Sequence, residues 1–173
     1  MHRSLVPLLA GLGALTAAPV PMHAQGARAG GGGGLTATEI SVGGVATLAH
    51  RAYWGAGLGI GRRVSGQTRV AFAGSVGDWD TSGGTGSSLA VRFEATGQFL
   101  VSPALRTGPG IYGGAGVAWQ GGSDMYGTGY LMALLGVEGG PGRPSAWYVE
   151  LGLGGGVRLA AGWRWRRFPA WWR

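Results

Sequence analysis

Between residues 89 and 101 the chain alternates with a period of two. Leu89, Val91, Phe93, Ala95, Gly97, Phe99 and Val101 share one parity, and Ala90, Arg92, Glu94, Thr96 and Gln98 share the other. The same division returns near the C-terminus, where Val157, Leu159, Ala161, Trp163 and Trp165 oppose Arg158, Ala160, Gly162, Arg164 and Arg166. Successive side chains of a strand point to opposite faces, so each segment has an apolar face and a face that holds all its charge. Six further segments alternate in the same way, at 36–49, 53–64, 67–77, 110–120, 129–139 and 145–154. Of these, 129–139 is the least regular, because Met132 and Leu134 fall on its otherwise polar parity. Turn residues separate the segments, among them Ser65-Gly66, Gly108-Pro109 and the glycines at 154–156. No stretch sustains a 3.6-residue period with caps, so the expected class is all-β with eight strands.

Alternation alone also fits a soluble sandwich with its apolar face turned inward. The choice rests on which face is bulky. One face carries Trp, Phe, Leu, Val and Ile; the other is mostly Gly, Ala and Ser with scattered charges. The chain has 39 glycines in 173 residues and only 12% charged residues, about half the share of an ordinary soluble domain. Such a face has too few long polar side chains to meet water. Turned inside out, the pattern is coherent: small and charged groups fill a narrow interior, and bulky apolar groups face lipid. The segments are near the roughly 9–11 residues that a tilted strand needs to cross a bilayer. The expected architecture is therefore an eight-stranded antiparallel up-and-down transmembrane β-barrel spanning residues 36–168.

An even strand count places both chain ends on one side. Trp54, Trp79, Trp119, Tyr126 and Tyr130 then fall near the far rim. Phe99, Tyr112, Trp147, Trp163, Trp165 and Phe168 fall near the terminal rim. These form two expected aromatic girdles, since amphipathic rings settle at membrane interfaces. The longer polar connections, 78–87 and 120–128, also lie on the far side. With these features the chain resembles the small eight-stranded outer-membrane β-barrels of the OmpA/OmpX-like class. The resemblance implies a bacterial outer-membrane location with lipid around the wall. It also implies recognition of the C-terminal strand by the barrel-assembly machinery through a terminal aromatic residue, for which Phe168 or Trp172 stands in place.

The ends agree with export. Residues 1–24 read as a signal peptide: His2 and Arg3 precede an apolar run at 5–18, and Met22-His23-Ala24 offers a cleavage site, with Ala18 as the alternative. Residues 25–35 are expected to form a glycine-rich flexible lead, and 169–173 a C-terminal tail. The absence of cysteine excludes disulfides, thiolate metal sites and a lipid-modified cysteine. The net charge of +7 comes wholly from arginine on the basic side. Those arginines are scattered singly through apolar strands, apart from Arg164, Arg166, Arg167 and Arg173, so nucleic acid is not an expected partner.

Glu39, Arg63, Arg69, Arg92, Glu94, Glu138, Glu150, Arg158 and Arg164 are expected to face inward. Burying an unpaired charge is costly, so each inward Glu is expected beside an Arg. His50 follows the first strand without a Ser-containing motif beside it, and Ser82, Ser87 and Ser88 would reach it only by folding, so no catalytic residue is assigned. Asp78, Asp80 and Asp124 lack ligand spacing, so no metal is expected. Gly55-Ala56-Gly57-Leu58-Gly59 lacks the strand–turn–helix context of a dinucleotide site, and no cofactor is expected. The expected function is that of a non-enzymatic structural or surface-interaction barrel whose lumen is closed by Arg/Glu pairs. A very narrow pore and a soluble secreted barrel binding an apolar ligand are the alternatives. The sequence names no surface partner.

Overall fold

The computed structural model describes residues 34–79, 88–123 and 125–172. The expected signal peptide, nearly all of the glycine-rich lead, and Asp80, Ser82, Ser87, Asp124 and Arg173 lie outside the described residues. Eight strands follow one another: β1 Ala37–Leu48, β2 Tyr53–Arg63, β3 Thr68–Trp79, β4 Ser88–Leu100, β5 Pro109–Gly122, β6 Met125–Gly139, β7 Ser145–Leu153 and β8 Val157–Arg167. Each pairs antiparallel with its neighbours in sequence. β1 closes on β8, from Thr38 opposite Arg167 to Leu48 opposite Val157, to complete a barrel. Closure pairs every strand with two neighbours, the condition for backbone groups to sit in hydrocarbon.

The expected far-side connection at 120–128 is mostly strand. β5 and β6 continue their ladder to Gly122 opposite Met125, with a register shift between Gln120 and Gly122. Tyr126, Thr128 and Tyr130 carry the strand preference there, while the intervening Gly127 and Gly129 obscure it in the sequence. β7 pairs β6 only from Ala133 to Glu138, so the β5–β6 hairpin projects past its other neighbour. The β7–β8 turn needs glycine, because Gly155 and Gly156 have φ of 77° and 143°.

Burial is inverted relative to a soluble protein. Leu131 is 86% exposed and Trp54 67%, whereas Arg63, Arg69 and Arg92 expose nothing. Inward glycines provide space for inward tyrosines. Tyr112 sits opposite Gly136 across β5–β6, where any Cβ would run into its ring. Tyr148, opposite Gly162, extends its hydroxyl towards Gly43. Gly136→Val is therefore expected to lower stability in urea by about 1–3 kcal/mol through overpacking. Gly97→Val, whose Cβ would meet nothing within 4 Å, serves as the control and should leave the midpoint nearly unchanged.

Candidate functional site

The interior holds all four glutamates and six arginines, and alternation put them there: each of these side chains has the inward parity of its strand. The charges form two tiers. In the tier nearer the chain termini, Glu39 and Glu138 are shared by four arginines. Arg63 Nε donates to Glu39 Oε1 at 2.7 Å, and Arg69 Nη1 donates to both Glu39 and Glu138 at 3.0 Å. Arg164 Nη1 donates to Glu138, and Arg166 Nη2 lies 2.8 Å from the same carboxylate. Arg166 reaches both glutamates as an ion pair rather than through aligned hydrogen bonds.

In the far tier, Glu94 accepts from Arg92 Nε at 2.6 Å and from Arg158 Nε and Nη2 at 2.7 Å each. The Arg158 pair is bidentate, the strong geometry for guanidinium and carboxylate. Glu150 accepts from Arg158 Nη1 at 2.9 Å and from the Tyr112 hydroxyl at 2.7 Å. Arg164 Nη2, 3.5 Å from Glu150, joins the tiers.

Neutral groups complete the coordination. Gln98 accepts from Arg69 and Gln120 from Arg92, while Arg164 lies 4.6 Å over Tyr148 and Arg69 4.5 Å over Tyr112. Arg63 also donates to the carbonyls of Pro103 at 3.0 Å and Pro141 at 2.8 Å. It thereby ties the β4–β5 and β6–β7 connections to the interior. Above the far tier, Tyr53 and Trp79 meet edge-on at 5.6 Å. Beside the network, towards β1–β3, interior cavities of about 50 and 40 Å³ lie along Ser41, Gly43, Gly57 and Gly61. Each has room for a water or so.

All nine expected charged residues lie in this interior. Arg166 joins them without having been singled out, although it shares the parity of Arg158 and Arg164. Trp54, Trp119 and Tyr126 are exposed near the far rim, as are Phe99, Trp147, Trp163 and Trp165 towards the terminal rim. The other four expected girdle residues are placed differently. Trp79 and Tyr112 are buried inside the barrel because they carry the inward parity of β3 and β5. Tyr130 has the inward parity of β6 and packs its ring over Gly155. Phe168, beyond β8, is half-buried with Arg63 5.5 Å above its ring and Trp172 6.0 Å away. His50 is exposed in the β1–β2 connection and Ser88 is buried in β4, with no hydrogen bond between them. Among the described residues no three His, Cys, Asp or Glu side chains gather as a metal site.

Solved structures share this arrangement of strands. The outer membrane protein OprG from Pseudomonas aeruginosa superposes with a TM-score of 0.60 at 10% identity, over 79% of this chain and 98% of that one. The fold is that of a small outer-membrane barrel. Neisserial surface protein A (NspA) gives a TM-score of 0.52 at 12% identity, over 77% of this chain and 97% of its own. At these identities the likeness lies in strand number, order and closure, not in particular side chains. No protein-family profile and no curated protein matches the sequence.

Proposed function

We propose that this protein is a bacterial outer-membrane barrel of structural or surface-interaction type, non-enzymatic, with a lumen filled by its own side chains. The inversion of burial carries the reading. Six arginines and four glutamates are withdrawn from solvent inside the wall, while Ile40, Leu58, Ile60, Phe72, Leu135 and Leu151 stand exposed around it. In water that wall would be an aggregation surface; in lipid it is the favourable face. An eight-stranded barrel leaves an interior only wide enough for side chains, and interior cavities of about 50 and 40 Å³ fit a plugged lumen better than a conduit. The partners of this reading are membrane lipid on the wall and the assembly machinery at β8.

Two measurements test it. The protein should need detergent and run on gels with heat-modifiable mobility; clean solubility without detergent would overturn the membrane reading. Reconstituted in planar bilayers, it should give no current above the lipid background. Discrete conductance steps would overturn the filled lumen and favour the narrow pore.

A further inference from the structure

The acidic residues are unevenly distributed. All four glutamates are inside the barrel. Asp78 is at the far end of β3, and Asp80 and Asp124 fall in the β3–β4 and β5–β6 connections by sequence. The terminal rim thus carries Arg62, Arg106, Arg143 and Arg167, and among the described residues no ion pair reaches any of them. Behind this rim the interior adds excess positive charge, six arginines against four glutamates.

Two adjoining cavities open between these arginines. One, of about 720 Å³, is bounded by Arg106, Arg143, Arg167, Phe168 and Trp172. The other, of about 340 Å³, is also bounded by Arg106 and Arg143 and runs to Trp147 and Trp163. That tryptophan pair sits side by side across β7–β8 on the outer wall.

The cleft is held in shape. Arg106 donates to the Trp172 carbonyl and lies 4.8 Å over the Trp172 ring. Trp172 Nε1 donates to the Gly142 carbonyl at 3.0 Å, and the Gly142 amide donates to Leu105 at 2.8 Å. Arg166 Nη1 donates to the Arg143 carbonyl at 3.4 Å. The connections bearing Arg106 and Arg143 are therefore stapled to each other and to the C-terminal turn.

An anionic group between the Arg106 guanidinium, held by Trp172, and that of Arg143, continuous with an aromatic wall in the apolar belt, describes an amphiphile. We propose that the Arg106–Arg143 cleft binds the phosphate of an anionic phospholipid at the terminal rim, with an acyl chain along Trp147 and Trp163. Arginine forks match phosphate oxygens bidentately, and the path from the same arginines onto the lipid-facing wall selects a lipid over a soluble phosphate. The inference rests on the membrane reading above.

Native mass spectrometry of the detergent-solubilised protein with phosphatidylglycerol and phosphatidylcholine tests it. Wild type should prefer phosphatidylglycerol by at least about tenfold, the scale of one or two charge-assisted contacts. Arg106→Gln/Arg143→Gln should abolish that preference while keeping heat-modifiable mobility. Arg143→Gln alone, which removes a guanidinium with no bond inside the described protein, should lose part of it. Arg51→Gln, at the far side, should lose none. Undiminished preference in the double variant would overturn the cleft assignment. Displacement of the lipid by equimolar glycerol phosphate would overturn the choice of a lipid. Should the protein prove soluble without detergent, the membrane reading fails first, and that failure is seen before any lipid is added.

Discussion

Glu138→Gln is expected to destabilise the barrel by about 3–5 kcal/mol, measured by urea unfolding from phospholipid vesicles. Glu138 is surrounded by Arg63, Arg69, Arg164 and Arg166, and both it and Arg63 are wholly withdrawn from solvent. Glutamine keeps the shape and an accepting oxygen but removes the negative charge. Four guanidiniums would then share Glu39, with Glu150 within reach of Arg164 alone. The cost is that of leaving buried cations uncompensated, which exceeds what the ion pairs contribute net of desolvation. Adding Arg166→Met to the same variant should recover part of the loss, because it removes one of the uncompensated cations. A loss below about 1 kcal/mol would match exposed ion pairs instead, and would mean that water enters the terminal half of the lumen.

The second large effect is on the other face. Leu151→Arg is expected to cost about 2–4 kcal/mol in the same assay, the range for arginine facing lipid near the bilayer midplane. Leu151 is exposed, flanked on its own face by Leu135 and Leu159 on the neighbouring strands. Val101→Arg, just beyond β4 at the terminal rim, should cost only about 0–1 kcal/mol, because the penalty falls towards the interface. A charge at Gly152 is not a fair inward control, since any Cβ there would press on Ala133 and Leu134. Equal costs at Leu151 and Val101 would contradict the depth assigned to β7.

The strands and their faces were legible because alternation is a local signal. Arg92 and Glu94, or Arg158 and Arg164, announce an inward face within a single segment. The partners of those charges were not legible. Arg69 meets Glu138 across 69 residues of sequence, and Arg158 meets Glu94 across 64; such contacts depend on the tilt and stagger of a closed barrel. Three aromatic positions depart from the expected girdles for a different reason. Trp79, Tyr112 and Tyr130 lie at the right height for a girdle, but the parity of their strands turns all three inward. Glycine was the least informative residue: Gly127, inside the expected connection at 120–128, is strand, whereas Gly136 is small because Tyr112 fills the space beside it.

The tier around Glu39 and Glu138 also bears on how the molecule reaches its closed state. Its members come from β1, β2, β3, β6 and β8, so the charges of the first and last strands are neutralised by one another only when the seam shuts. A partly curled sheet would keep Glu39 beside Arg63 and Arg69 at one border and Arg164 and Arg166 beside Glu138 at the other, and only the pairs of Glu39 with Arg164 and Arg166 would wait for closure. What such a sheet lacks is the β1–β8 ladder, whose open backbone groups are costly in hydrocarbon. The last step of closure therefore adds the Glu39 contacts of Arg164 and Arg166 to a network whose other pairs lie within each side of the seam.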